Sequence, residues 1–131
     1  MSTVQTPATI EDAAGALIPL VSKLNMTGDP AKQLQAAALA QQISDASTQA
    51  SNLAAADVIQ ILSGSAPLAQ LTKLDQQAKA KAAQIAADET QVDNAISFLT
   101  SATTFVGAIA TGNVLVAGTQ LSNMLSSLKI S

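Results

Sequence analysis

The sequence contains no cysteine, histidine, arginine, tyrosine or tryptophan. Without cysteine there is no disulfide framework, no zinc–thiolate site and no thiol nucleophile. Without histidine the chain lacks the commonest general base and the commonest metal ligand. The missing arginine removes the planar fork that best grips phosphate, and the missing tyrosine and tryptophan remove most stacking surface for bases. Lysine, aspartate and glutamate are the charged groups left for catalysis. Six scattered lysines against nine carboxylates give a net charge of -3, so no basic patch releases enough counterions to hold DNA or RNA. Nucleic acid is not an expected partner.

Alanine dominates what is present. The hydrophobic residues make up 48% of the chain, and the aromatics among them are two, Phe98 and Phe105. Alanine removes little area from water compared with Leu or Phe, so an Ala-rich core offsets chain entropy poorly at about 25 cal/mol per Å². Association of copies would supply further buried area. The length of 131 residues suits a single domain. Met1 to Pro7 lack the basic start of a signal peptide, and Glu11 and Asp12 precede the apolar run Ala13 to Val21. No cleavable leader is therefore expected, and the compartment stays open between the cytoplasm and export by a leaderless route.

Punctuation divides the chain into four helical segments, which predicts an all-α fold. Thr9 with Asp12 three residues on resembles a capping box, and it starts a first helix over about 10–25 in which Pro19 forces a kink or a shortening. Gly28, Asp29 and Pro30 then read as a helix stop, an N-cap and a first-turn proline. From Ala31 to about Ser63 no glycine or proline intervenes, which predicts one long helix. Gly64 to Pro67 repeat the stop and restart, and a third helix is predicted from Leu68 to about Thr111. Its apolar seam of Leu71, Ala78, Ala82, Ile85, Val92, Ile96, Leu99, Val106 and Ala110, with Asp75, Glu89 and Thr103 interspersed, keeps the alternating four-three spacing of a coiled coil. Helix two carries a matching seam through Ala36, Leu39, Ile43, Ala46, Ala50, Leu53 and Asp57. The expected architecture is a long, antiparallel, Ala-rich hairpin over about 30–111 with a short helix at each end, the last over about 114–128.

Asp88, Glu89 and Asp93 form the densest acidic cluster. A paired-carboxylate acid and base, or a divalent cation site, would need a histidine or a second glutamate from a partner helix. The long helices offer neither. Asp88 and Asp93 read instead as solvated, and Glu89 as a polar seam residue that sets register and faces the neighbourhood of Gln42. Lys79 and Lys81 are too few for a lipid-headgroup site. Gly64, Gly107, Gly112 and Gly118 follow no strand and precede no Gly-Lys-Ser or Gly-Lys-Thr, so they read as caps or as places of close packing. No catalytic residue, metal, cofactor or small-molecule substrate is predicted.

One stretch stands out: Asn94 to Leu128 contains no charged residue. Phe98, Ala102, Phe105 and Ile109 form a second apolar stripe beside the hairpin seam, and a helix with two apolar stripes must bury both. A two-helix hairpin covers one, and Leu121, Met124 and Leu128 of the short last helix can cover part of the other. The expected contact residues are Phe98, Phe105, Val106, Ile109, Val114, Val116, Leu121 and Leu125, and the expected function is a non-enzymatic structural subunit that self-assembles into a homo-oligomer or filament. The alternative is a membrane-active protein, such as a component of a helical pore-forming toxin, with segment 94–128 engaging lipid. Gly112 and Asn113 interrupt that segment and Ser and Thr stud it, which strains a span of about 20 apolar residues.

Overall fold

The computed structural model describes residues 6–53, 60–61 and 67–128, with side chains described for 10–53, 60–61 and 77–128. Its described residues are all-α, with no strand among them. The helices are α1 (Thr6–Ala16), α2 (Ile18–Asn25), α3 (Pro30–Ser51), α4 (Pro67–Ala86), α5 (Val92–Thr111) and α6 (Val114–Ser127), with a 3₁₀ turn over Glu89–Gln91 between α4 and α5.

Helix boundaries follow local chemistry. The expected first helix is two. Pro19 has no N–H to carry the ladder past Leu17, so α1 stops at Ala16 and α2 restarts with the proline in its first turn. Helix α1 begins at Thr6, which places Thr9 inside the helix and not at its cap. At the start of α3 the Asp29 carboxylate accepts the Ala31 N–H at 3.0 Å, Pro30 occupies the first turn, and Gly28 has φ +74°. The stop, cap and restart predicted there are all present. Helix α3 does not run unbroken to Ser63: Asn52 is its C-cap, and Ser51 Oγ turns back to the Thr48 carbonyl at 2.9 Å. Ser47, Thr48, Ser51 and Asn52 compete with the helical ladder through such local bonds.

The larger departure lies in the third helix, which bends out of helical geometry at Asp88. That residue is extended (φ −127°, ψ 107°), and its carboxylate accepts both the Thr90 N–H at 3.0 Å and the Thr90 hydroxyl at 2.7 Å. The turn separates two halves with different neighbours. Helix α5 lies along α3 and α6, while α4 lies on α1 and, less extensively, on α6. Helix α1 in turn touches α3. The order α3, α5, α6, α4, α1 and back to α3 therefore closes on itself around a shared core, with α2 resting on α3.

Ile10, Leu17, Leu20, Leu24, Leu39, Phe98, Leu99, Phe105 and Leu121 are the largest fully buried side chains among the described residues. Alanine seam residues fill the narrow places between them: Ala36, Ala46 and Ala50 of α3 and Ala78 and Ala82 of α4 are fully buried. Of the remaining predicted seam, Ile85, Val92, Leu99 and Val106 are buried, Ile43, Leu53, Ile96 and Thr103 half-buried, and Ala110 exposed. Asp57 and the side chains of Leu71 and Asp75 lie outside the described residues.

Candidate interaction surface

Two residues of the acidic cluster at the α4–α5 junction, Asp88 and Glu89, make contacts that hold the turn. Asp88 caps the 3₁₀ turn, and its hydrogen bond from the Thr90 hydroxyl, then that from the Thr90 backbone, hold its carboxyl below the usual aspartate range. Glu89 does not face Gln42; it pairs with Lys32 of α3 at 2.7 Å, and that hydrogen bond raises the Lys32 ammonium above its ordinary value. The geometry differs from the hairpin expectation because the turn swings Glu89 toward the start of α3 and away from its middle. Lys23 of α2 donates to the Ala87 carbonyl at 2.6 Å, satisfying an acceptor at the end of α4. Asp93 is exposed, as are Lys79 and Gln84. A small cleft of about 200 Å³ opens beside the turn between Lys81, Asp88, Gln91, Asn94 and Ser127. Among the described residues no three His, Cys, Asp or Glu side chains converge as a metal site.

The opposite end of α5 is apolar. Gly112 adopts φ +77°, its N–H bonds the Ile109 carbonyl at 3.1 Å, and the Asn113 N–H reaches the Ala108 carbonyl at 2.8 Å. This pair of bonds is a Schellman ending, which requires the left-handed conformation that glycine adopts without strain. Asn113 then caps α6, its side-chain oxygen accepting the Val116 N–H at 3.1 Å. Stop and cap in adjacent residues make a tight reversal, and the first two residues of α6 project at its apex. Val114 is 41% exposed and Leu115 84% exposed. Beside them Leu53, Gln60, Ile61, Ile109 and Gly112 border a cleft of about 370 Å³.

The eight residues expected to make contacts between copies divide sharply. Phe98, Phe105, Val106, Ile109, Leu121 and Leu125 are buried inside the chain itself, against α3, α4 and each other's helices. Val116 is half-buried and packed on the same core. Val114 alone of the eight is exposed, and its neighbour Leu115, outside the expected set, is the more exposed of the two. Periodicity gave no signal that separates Val114 and Leu115 from the buried residues of the same charge-free stretch. Gly107, read as a cap or packing position, is exposed with nothing within 4 Å of where a Cβ would stand.

Among the described residues, Ile18, Met26 and Leu34 are the other large exposed apolar side chains. They alternate along the chain with Lys23, Asp29 and Lys32, whereas the α5–α6 reversal belongs to the charge-free stretch. No helix among the described residues is long and apolar enough to cross a membrane. Comparison with family models, with curated proteins and with solved structures returned no match to this chain.

Proposed function

We propose that this protein is a non-enzymatic structural subunit that associates with copies of itself through the apolar reversal between α5 and α6. The observation that carries this reading is the exposure of Leu115 and Val114 at the apex of a hairpin without a single charge from residue 94 to 128. Apolar side chains grouped at an uncharged surface lose area to water that a partner surface would recover, at about 25 cal/mol per Å². The apex, flanked by the cleft at Leu53 and Ile61, offers both a projection and a recess. Lipid is the weaker occupant. Helix α6 has 14 residues, about 21 Å of helix against a hydrocarbon core of about 30 Å, and α5 carries Asp93, Asn94 and six Ser or Thr along its 20 residues.

Leu115→Lys tests the reading at its centre, because the side chain is exposed and its replacement leaves the core untouched. Multi-angle light scattering should show concentration-dependent oligomers for the wild type and a shift toward smaller species for Leu115→Lys, at unchanged helicity by circular dichroism. A wild type that stays monomeric at millimolar concentration sinks the proposal. Co-sedimentation with phospholipid vesicles, lost in Leu115→Lys, would give the surface to lipid.

A further inference from the structure

The turn between α4 and α5 is made of residues that do not require a turn. From Leu68 to Val106 there is no glycine and no proline, and Ala87, Glu89 and Gln91 are good helix formers. The four-three seam runs through the break without a skip: Ala82, Ile85, Glu89, Val92, Ile96 and Leu99 keep the spacing they would have on one helix. None of the three residues of the 3₁₀ turn is buried, and Ala87 and Asp88 before it are exposed. What holds the bend is polar and superficial: the Asp88 cap on Thr90, the Lys32–Glu89 pair and the Lys23 bond to the Ala87 carbonyl. These links lie at the surface, while Ile85, Ala86 and Val92 on either side of the turn belong to the buried core.

The bend also divides the molecule into two coherent units. On one side α1 packs on α3 and α4, and α2 on α3; on the other, α5 and α6 share the most extensive helix–helix interface among the described residues and are locked by the Gly112–Asn113 reversal. A hinge between two units, each able to keep its internal packing, is the structural requirement for exchanging an identical element between protomers.

We propose that the α5–α6 hairpin exchanges between two copies of this chain, with residues 87–91 straightening so that α4 and α5 become one helix over 67–111. In the exchanged dimer the buried face of α5, including Phe98, Phe105 and Ile109, meets the partner's α3 and α4 through the same contacts it makes within one chain. The apolar cost of opening is thereby recovered, and the balance rests on the hinge, where three polar links are lost and a turn of helix is gained. This exchange is separate from association through Leu115.

Two substitutions move the hinge in opposite directions. Glu89→Pro suits the turn: the preceding Asp88 is extended, as a residue before proline prefers, and Glu89 occupies the first position after a cap, where proline is favoured. The same proline blocks the straight helix. Asp88→Ala removes the cap and supplies a strong helix former. Refolding at high concentration followed by size-exclusion chromatography with light scattering should give a dimer for the wild type, about fivefold more of it for Asp88→Ala, and none for Glu89→Pro. Glu89→Ala, which removes the ion pair without barring the helix, should still dimerise. Spin labels on Lys79→Cys and Thr104→Cys, with labelled chains diluted into unlabelled ones, report the hinge directly. An unbroken helix sets their backbone positions about 38 Å apart, and any bend brings them closer. A dimer whose label distance matches that of the monomer overturns the proposal, as do monomeric wild type and Asp88→Ala, or a Glu89→Pro that folds and dimerises like wild type. If Glu89→Pro fails to fold, the label distance in wild type and Asp88→Ala decides alone. Leu115→Lys leaves the exchange intact, so loss of dimer in that variant assigns association to the apex and not to the hinge.

Discussion

Asp29 and Asp88 perform the same act, each lending one carboxylate oxygen to the backbone N–H two residues ahead. One was legible in the sequence and the other was not. Gly28 and Pro30 flank Asp29 and leave its segment no alternative to a stop and restart. Ala87 and Glu89 flank Asp88, and both belong comfortably in the middle of a helix. The available signal was Gln91 three residues after Asp88, the spacing of a capping box, but an unbroken seam on both sides outweighed it. Asp29→Ala should cost about 1 kcal/mol through loss of the cap, while Lys79→Ala, on an exposed position of α4, should change stability by less than about 0.5 kcal/mol. Urea unfolding midpoints measure both, and equal effects would mean that Asp29 caps nothing of consequence.

At the scale of the element, periodicity located the buried faces well and the helix ends less well. Ala36, Leu39, Ala46 and Ala50 on α3, and Phe98, Ala102, Phe105 and Ile109 on α5, are all buried, since three-four spacing puts each set on one face whatever lies opposite. Where a helix stops depends on small differences in propensity and on side chains from elsewhere, such as Lys23 and Lys32, which no local window contains. Asp88 and Lys32 make the α4–α5 turn sensitive to pH. The Asp88 carboxyl titrates below its ordinary value, so its contribution to the turn is complete above about pH 4 and is lost as pH falls through the lowered value. The Lys32 ammonium is raised, so its contribution is complete below about pH 10 and is lost as pH rises through the raised value. Comparing wild type with Asp88→Asn by urea unfolding from pH 7 to pH 2 should show a constant difference down to about pH 4 that then narrows. A difference that does not change with pH would show that the charge on Asp88 does not hold the turn.

For the whole molecule, the question posed by the sequence was how a helix with two apolar stripes buries both. The hairpin expectation lets the last helix cover only part of the second stripe, and so assigns Phe105 and Ile109 to contacts between copies. The bend at Asp88 gives another answer: it sets α5 against α3 on one side and α6 on the other, so one chain covers what two straight helices would expose. Such long-range coverage is invisible to periodicity, which reports that a face is buried and not what buries it. Stability measurements separate the two cases. Phe105 is fully buried and Leu115 is 84% exposed, although both are large apolar residues of the same charge-free hairpin. If the single chain forms the core, Phe105→Ala should cost about 3–5 kcal/mol by transfer and cavity terms, a large part of the 5–15 kcal/mol typical of a domain. Leu115→Ala should change stability by less than about 0.5 kcal/mol. Both are to be measured at micromolar concentration and again tenfold lower, because a core completed by a second copy loses stability on dilution while one completed within the chain does not. A Phe105→Ala cost below about 1 kcal/mol, or a midpoint that falls with dilution in Leu115→Lys, where the apex no longer associates, would place the partner of that aromatic ring on another molecule.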